Sequence, residues 1–294
     1  MEFWLSAAFV DTGEYVELAK AADRLGFSTV AVSDHIFYAD YEARYPYTES
    51  GAPPYDPDTH WPDAWVTIGA MAAVTERVRF ATNVYIAPAR DLFTSAKAIS
   101  TAAALSGDRV IAGLGAGWCK DEFLQTGQDF HTRGRRLDEL IPALRELWKG
   151  GMVEHHGTYY DYGPLRIMPV PGKPVPIFIG GDSDAALRRT ARLGDGWVGN
   201  RFYSEEQLED LLVRMERFLA EEGRTLDDVD VIAPLAMPPS ADLYRKWEDR
   251  GVRGMMAMPW WTPTPEIKAA NSGNPLGLKI ATMERYAEEI IAKM

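Results

Sequence analysis

The chain has a single cysteine, fewer basic than acidic residues and no long apolar run, and each of these shortages excludes a class of protein. Cys119 is the only cysteine among 294 residues, so no internal disulfide and no cysteine-rich metal site can form. Lysine and arginine number 31 against 43 aspartates and glutamates, which gives a formal net charge of −12. Nucleic-acid binding needs a basic face, and a chain this acidic is a poor candidate for it. No window approaches ~20 uninterrupted apolar residues, so no transmembrane helix is predicted.

The first residues, MEFWLSAAFVDTGE, turn acidic before they could form the basic and apolar regions of a signal peptide. We therefore expect a cytoplasmic protein. The remaining composition, 46% hydrophobic and 25% charged, is typical of a globular protein. Because the sequence contains no low-complexity tract and no interdomain linker, it predicts a single domain over residues 1–294.

Apolar runs with strand character alternate along the chain with stretches of helical spacing. The predicted strands are Glu2–Phe9, Ser28–Ser33, Val78–Ile86, Arg109–Leu114, Val175–Gly180, Gly196–Asn200, Val229–Leu235 and Val252–Met258. The predicted helices are Gly13–Leu25, Pro62–Val74, Leu92–Leu105, Arg135–Leu147, Ser183–Leu193, Ser204–Glu222, Ala241–Arg250 and Ile280–Met294. Short, continuously apolar strands suit a parallel sheet that is buried on both faces. The alternation predicts an α/β fold, a (β/α)₈ TIM barrel.

Three segments are too long to be ordinary connections and are predicted insertions. Phe37–Trp61 follows the second strand, and Pro259–Gly277 follows the eighth. Gly150–Lys173 precedes the fifth strand and contains HHGTYYDYG, which predicts a short hairpin. The insertions after the second and eighth strands lie at the face where such barrels build active sites. Their aromatic residues and prolines indicate a deep pocket for a flat or apolar ligand, although these aromatics could also simply pack the loops.

Candidate site residues follow the second and third predicted strands. The second strand runs into VSDHIF, which places Asp34 and His35 at the mouth of the barrel. A histidine can donate or accept a proton near neutral pH, but His35 could also merely bond to a loop. The third strand runs into ATNVYIAP, in which Asn83 and Val84 lie where the chain leaves the barrel wall.

Glycines mark the ends of two further strands. The fourth strand runs into GLGAGW, so that Gly115, Gly117 and Trp118 follow it, but the spacing is too weak for a dinucleotide-binding fingerprint. These glycines allow either close approach of a planar ligand or tight packing in the barrel. The fifth strand ends in PVPIFIGG, and a helix follows Gly180 and Gly181. A strand, a glycine turn and a helix N-terminus together form a cradle for phosphate.

Other residues that could bind a ligand or metal also have purely structural interpretations. Arg188 and Arg189, further along the helix after the glycine turn, could add to the phosphate cradle or could instead be solvated surface. The cluster RGRR at 133–136 is interpreted as surface charge at a helix start, with anion steering as the alternative. His155 and His156 are adjacent and would point to opposite faces of a strand, so no metal site is predicted. Cys119 lies in a region that could meet a ligand, but a lone cysteine is usually inert.

These segments, in this order, resemble the bacterial luciferase-like flavin and deazaflavin oxidoreductases, and within them the F420-dependent class. The stretches that carry the resemblance are AADRLGFSTVAVSDHI, PDAWVTIGAMAAVTERVRFATNVYIAP, LSGDRVIAGLGAGWCKDEF and PVPIFIGGDSDAALRRTARLGDGW. They span most of residues 1–200, and beyond residue 200 the likeness is architectural. The resemblance implies a TIM barrel that holds a tricyclic cofactor ring at its C-terminal mouth.

The resemblance also implies roles for individual positions. The position of Asp34 binds the ring system, and that of His35 lies beside the redox-active carbon. A non-proline cis peptide, here Asn83–Val84, supports the back of the ring. The GLGAGW segment, with Gly115, Gly117 and Trp118, contacts the cofactor. Gly180 and Gly181 match the turn that binds its phosphate.

One position departs from the family pattern. Relatives that oxidise sugar phosphates carry a glutamate as proton acceptor where this chain has Trp118, and an indole cannot take that proton. Glucose-6-phosphate-type chemistry is therefore not expected. We expect instead an oxidoreductase that transfers a hydride between the deazaflavin coenzyme F420 and a small organic substrate.

Two alternatives stay open at the level of sequence. The first is an FMN-dependent monooxygenase of the same fold that uses O₂, and the second is a flavin- or deazaflavin-binding protein without catalysis. The expected partners are a small-molecule substrate and, as in many relatives, a second copy of the chain in a homodimer. No metal, nucleic acid or membrane partner is expected.

Overall fold

Ten β-strands, named β1–β10 in chain order, are present in the computed structural model, which describes residues 1–39, 45–48 and 50–294. The barrel strands are β1 (Glu2–Ser6), β2 (Thr29–Val32), β3 (Arg79–Thr82), β4 (Val110–Leu114), β7 (Ile177–Gly180), β8 (Gly196–Val198), β9 (Asp230–Ala233) and β10 (Gly254–Ala257). The other two are β5 (Val153–His156) and β6 (Asp161–Leu165).

The barrel strands are all parallel and close on themselves in the order β1, β2, β3, β4, β7, β8, β9, β10. Leu5 of β1 lies opposite Val30 of β2 on one side and Ala257 of β10 on the other, which closes the ring. The predicted TIM barrel is confirmed. The predicted hairpin in HHGTYYDYG is also confirmed, because β5 and β6 pair antiparallel outside the barrel.

Within the ranges that the structure describes, ten α-helices surround the barrel or lie in its connections. They are α1 (Tyr15–Leu25), α2 (Ala64–Ala72), α3 (Leu92–Ser106), α4 (Lys120–Gln125), α5 (Arg133–Leu147), α6 (Asp184–Leu193), α7 (Glu205–Glu221), α8 (Ala241–Asp249), α9 (Pro265–Ala270) and α10 (Pro275–Glu289). Each predicted helix is present, with ends shifted by a few residues. The sequence did not predict α4 and α9, which have only 6 residues each. Among the described residues, none of the helices has the length and apolarity needed to cross a bilayer.

The barrel interior is filled by one buried side chain from each of its strands. These are Trp4, Ala31, Ala81, Ile111, Phe178, Val198, Ile232 and Met256. The rings of Trp4 and Phe178 stack with their centroids 5.7 Å apart, and the small alanines of β2 and β3 leave room for them. The interior is thus a packed core rather than a pore, so any cavity must lie above it.

Local sequence signals fix where the helices begin and end. Asp91 accepts a hydrogen bond from the backbone N–H of Thr94 at 2.8 Å and caps α3. Gly107 ends the same helix in the left-handed conformation, at φ 66°. Ser204 and Gln207 form a reciprocal capping box at the start of α7. These caps set the helix positions and thereby the loops at the carboxyl ends of the strands.

Candidate active site

A cavity of about 1350 Å³ opens at the carboxyl ends of the barrel strands. It exceeds the usual size of a pocket for a single drug-sized ligand, ~300–1,000 Å³. Every site residue predicted from the sequence lines this cavity: Asp34, His35, Asn83, Val84, Gly115, Gly117, Trp118, Gly180 and Gly181. The fold therefore brings together strand ends that are far apart in sequence. Their individual roles remain predictions.

The chain leaves β3 through a non-proline cis peptide bond between Asn83 and Val84, as the family resemblance implied. Asn83 donates from Nδ2 to the backbone oxygen of Gly199 at 3.2 Å. Its Oδ1 is buried and has no hydrogen-bond partner among the described residues. Because a buried acceptor is costly when it is unpaired, this oxygen suits a ligand that supplies a donor.

Val84 lies against two glycines of neighbouring strand ends. A β-carbon built on Gly115 would lie 2.3 Å from Cγ2 of Val84, and one on Gly180 would lie 2.4 Å from Cγ1. A β-carbon at Gly117 would also meet Ile86 and Phe123 at 2.7 and 2.9 Å. These positions therefore require glycine for packing, the alternative that the sequence left open for the GLGAGW segment.

Asp34 is buried, and its carboxylate is bound to the segment that follows the cis peptide. It accepts hydrogen bonds from the backbone N–H of Ile86 at 3.0 Å and from Nη2 of Arg90 at 2.8 Å. Burial raises the pKa of the Asp34 carboxyl, while Arg90 and the Ile86 N–H act in the opposite direction. Asp34 thus fixes the backbone beside Val84 in addition to lining the cavity.

His35 is held from both sides of its ring. Its Nδ1 lies 3.1 Å from Oε1 of Glu122, and its Nε2 lies 3.2 Å from the Tyr55 hydroxyl. The rings of Trp61 and Trp118 pack edge-on against the imidazole at centroid distances of 4.9 and 5.9 Å. The imidazole is 10% exposed, so it meets the cavity in a largely dry, aromatic setting.

The glycine turn after β7 also lines the cavity and leads into α6. Gly181 adopts φ 108°, and its carbonyl accepts a hydrogen bond from the Trp197 indole at 2.7 Å. The Ser183 hydroxyl caps the helix by accepting from the Ala186 N–H. The first N–H groups of a helix have no partner within it, so this turn presents donors to an anion.

Arginines surround the same turn, which corrects part of the sequence interpretation. Arg189 is buried rather than solvated: it is 6% exposed and donates from Nε to Asp138 at 2.7 Å. Arg133 and Arg135 of the RGRR cluster line the cavity, which favours the anion alternative over plain surface charge. Burial lowers the pKa of the Arg133 guanidinium, yet an arginine stays charged in proteins. Arg201 pairs with Asp182 at 2.8 Å.

Aromatic side chains enclose the part of the cavity beside His35. Phe9 stacks on Trp261 with a centroid distance of 6.3 Å and contacts Trp61 edge-on at 5.6 Å. The backbone of Phe9 lies at φ 60°, an uncommon conformation for a bulky residue. The aromatic residues predicted to line a pocket do so at Tyr55, Trp61 and Trp261. Residues 40–44 and 49 of the same insertion lie outside the described residues.

Other residues singled out in the sequence lie away from this cavity. Cys119 is fully buried and does not line it, and burial raises the pKa of its thiol to about 11. His155 contacts Glu139 through Nε2 at 3.4 Å, and His156 contacts Asp161 through Nδ1 at 2.7 Å. Within the part of the chain that the structure describes, no cluster of three or more His, Cys, Asp or Glu side chains is suited to hold a metal ion.

Comparison with known proteins places this architecture in a family. Residues 4–284 match the sequence model of the family described as luciferase-like monooxygenase. An uncharacterized protein of Mycobacterium tuberculosis (strain H37Rv) is 34% identical over 299 residues, which covers 100% of both chains. An F420-dependent glucose-6-phosphate dehydrogenase of Nakamurella multipartita is 29% identical over 290 residues, which covers 97% of this chain and 78% of the relative.

Solved structures share the fold at lower identity. An F420-dependent secondary alcohol dehydrogenase in complex with an F420-acetone adduct has a TM-score of 0.75 at 15% identity, and covers 100% of this chain and 99% of its own. Monooxygenase RslO1 from Streptomyces bottropensis has a TM-score of 0.72 at 18% identity, with the same coverage. At these identities the structural likeness shows the fold alone, whereas the sequence match over residues 4–284 shows the family. The chain belongs to the luciferase-like monooxygenase family.

Proposed function

We propose that this protein is an oxidoreductase that transfers a hydride between the deazaflavin coenzyme F420 and a small organic substrate. The observation that carries the proposal is one cavity with three chemically different walls. Val84 and the strand-end glycines form an apolar wall, the turn at Gly181 forms an anion-binding wall, and His35 lies among aromatic rings. Such a division suits a planar cofactor with a phosphate and, beside it, an uncharged substrate.

The residues present fit a tricyclic cofactor that carries a phosphate. The unpartnered Oδ1 of Asn83 can accept an N–H from a polar ring edge. The helix N-terminus after Gly181 and the arginines at 133 and 135 suit the phosphate. Trp118 contacts His35 rather than offering a carboxylate, so glucose-6-phosphate is not proposed as the substrate despite the name of one relative.

The deazaflavin, when bound, accepts or supplies the hydride, and the protein supplies position, a dry site and a proton partner. His35 has the proton-transfer role, because hydride transfer to or from a carbonyl or imine group leaves a charge that a proton must neutralise. The aromatic residues beside it exclude water and bind apolar substrate surface.

The second candidate is an FMN-dependent monooxygenase that uses O₂. The name of the matching family and the fold shared with monooxygenase RslO1 favour it. A barrel of this type accepts different cofactors, so the fold alone does not decide. The third candidate, a cofactor-binding protein without catalysis, has no observation in its favour beyond the cavity itself.

Titration of the purified protein with F420 and, separately, with FMN tests the proposal. The chain has 9 tryptophans, of which Trp61, Trp118 and Trp261 line the cavity, so bound cofactor should quench the intrinsic fluorescence. We expect saturation at micromolar F420 and weaker binding of FMN. The urea-unfolded protein, which has no binding site, is the control for the fluorescence that is lost because the added cofactor absorbs light. Tighter binding of FMN, with oxygen consumption when reduced FMN is supplied, would establish the second candidate instead.

A further inference from the structure

We propose that Tyr55, His35 and Glu122 form a proton relay, in which Glu122 is the positioning residue of His35 and Tyr55 lies between the imidazole and the substrate. This proposal rests on the proton-transfer role of His35 stated above. The sequence predicted Tyr55 only as one of the aromatic residues that line the pocket, and Glu122 was not among the predicted site residues. The contacts at the two ring nitrogens, 3.1 Å to Glu122 and 3.2 Å to Tyr55, carry the argument.

Glu122 is suited to orient the imidazole because it is itself fixed. Its side chain is 1% exposed, and it lies in α4, directly after the glycine segment. The oxygen that faces His35, Oε1, also accepts the backbone N–H of Ile36 at 2.7 Å. An oxygen held by a backbone donor cannot easily rotate away, so the carboxylate has a defined position relative to the ring.

The carboxylate determines which nitrogen of the neutral ring carries the proton. A carboxylate only accepts hydrogen bonds, so the contact with Glu122 requires N–H at Nδ1. Nε2 then carries the lone pair and can accept the Tyr55 O–H. The same arrangement orients the histidine of a Ser-His-Asp triad, in which the carboxylate fixes the tautomer and stabilises the imidazolium that forms during reaction.

The proton path follows from this tautomer. When an alcohol-type substrate is oxidised, its carbon loses a hydride, which the deazaflavin would accept when bound, and its oxygen loses a proton. That proton passes to the Tyr55 oxygen as the Tyr55 proton passes to Nε2, which leaves an imidazolium beside the Glu122 carboxylate. In the reducing direction each transfer is reversed, and the oxygen that gains charge receives the proton from Tyr55. The other buried carboxylate next to His35, Asp34, is bound by Arg90 and Ile86 and is not part of the relay.

Nitrogen-15 NMR of the histidine rings tests the positioning step without cofactor or substrate. The chain has 5 histidines, and loss of one set of signals in the His35→Asn variant assigns His35. Above the titration range of imidazole, we expect a protonated Nδ1 and an unprotonated Nε2. In the Glu122→Ala variant the ring should change to the Nε2–H tautomer that free histidine prefers.

His155 is an internal control, because its contact with Glu139 is made through Nε2 and predicts the opposite tautomer. Its signals, and those of His60, His131 and His156, should be the same in the Glu122→Ala variant, which shows that the fold is retained. A wild-type His35 that carries its proton on Nε2 would overturn the proposal, and this measurement needs no folded Glu122 variant.

Kinetics with a substrate of the enzyme test the relay itself. Glu122→Gln keeps an oxygen that can accept from Ile36 and His35 but removes the charge, so a purely structural Glu122 predicts wild-type turnover. The relay predicts a loss of about 10²–10⁴-fold in kcat, with little change in KM and cofactor affinity. Tyr55→Phe should show the same pattern and keep the Nδ1–H tautomer of His35. Wild-type kcat in either variant would overturn the relay, whereas failure of the protein to bind F420 would overturn only the proposed function.

Discussion

Val84 and Gly180 are in such close contact that a β-carbon built on Gly180 would lie 2.4 Å from Cγ1 of the valine. That distance is far shorter than any real carbon–carbon contact between side chains. The glycine at the end of β7 is therefore required by the side chain that follows the end of β3. The shape of the cavity wall depends on this pair.

Replacing Gly180 with alanine should consequently lower the free energy of unfolding by about 1–3 kcal/mol through overpacking, as measured by urea denaturation. Combining it with Val84→Ala should restore part of the loss, because the nearest atom of residue 84 would then be its Cβ at 3.4 Å. The size of this rescue measures the coupling energy between Gly180 and Val84.

Gly69 offers a matched control, since a β-carbon there meets nothing within 4 Å. Gly69→Ala lies inside α2 and should leave stability unchanged or raise it slightly. Equal effects of the two glycine substitutions, or strict additivity in the double variant, would show that the contact with Val84 is unimportant.

Most of the fold could be predicted from the sequence because its signals are local. Buried parallel strands are continuous apolar runs, and their alternation with amphipathic helices specifies a barrel. The third strand was predicted to extend to Ile86 but ends at Thr82, since the chain turns at the Asn83–Val84 bond. Helices as short as α4 carry too few residues for a recognisable period.

The sequence predicted site residues only where they directly follow a strand. Asp34, His35 and the glycines follow strands, and the parallel topology then places them at one face. Glu122 is separated from His35 by 87 residues, and no local pattern connects the two. The burial of Arg189 similarly depends on Asp138 of a neighbouring helix. Pairings of this kind are set by tertiary packing, so the structure was needed to find them.

The phosphate-binding role proposed for the glycine turn predicts that Gly181→Val weakens cofactor binding. Gly181 lies at φ 108°, and a β-carbon there would approach Ala186 to 3.2 Å. The loss of two charge-assisted hydrogen bonds, at about 1.5–3 kcal/mol each, corresponds to about two to four decades in Kd. Fluorescence titration of the folded variant measures the change.

Backbone strain from a side chain at a positive φ must be separated from the loss of phosphate binding. Gly223 also has a positive φ, 69°, but nothing lies within 4 Å of its β-carbon position, and it follows α7 outside the cavity lining. Gly223→Val should therefore lose stability while its cofactor Kd stays at the wild-type value. If Gly181→Val binds as tightly as the wild type, the phosphate is held elsewhere.

The thiol of Cys119 should be unreactive in the folded protein. Burial raises its pKa to about 11 and leaves it fully inaccessible, and only a thiolate reacts readily with iodoacetamide. We expect no labelling at neutral pH in native buffer and complete labelling in urea, as followed by mass spectrometry. Rapid labelling of the native protein would mean that the glycine segment opens on the time scale of the reaction.

The ion pair between Asp184 and Arg214 should make the start of α6 sensitive to acid. The hydrogen bond from Arg214, at 2.7 Å, lowers the pKa of the Asp184 carboxyl. A carboxyl with a lower pKa in the folded state stabilises the fold at pH values above its unfolded pKa of ~3.9. That stabilisation is lost as the pH falls through the folded value.

Asp184→Asn should therefore be less stable than the wild type at neutral pH, and the difference should disappear in acid. Denaturation at a series of pH values measures it. Asp242→Asn, in the first turn of α8, is the control for an exposed acid near a helix N-terminus, since Asp242 is 97% exposed and pairs with Arg245 of its own helix at 3.2 Å. If the free energy of unfolding differs between Asp184→Asn and the wild type by the same amount at every pH, the ion pair with Arg214 does not lower the pKa of Asp184.

His35 gives the sharpest prediction about the reaction, because its two possible roles respond differently to two substitutions. His35→Ala should keep the fold and most of the cofactor affinity but lose about 10²–10⁴-fold in turnover, the usual contribution of positioned acid–base catalysis. His35→Asn keeps a hydrogen-bond donor for Glu122 but cannot titrate. If the asparagine variant regains most of the activity, the residue positions the ring or substrate; if it is as inactive as the alanine variant, the residue transfers the proton. Full activity of His35→Ala would exclude both roles and direct attention to Tyr55, whose hydroxyl lies 3.2 Å from the imidazole.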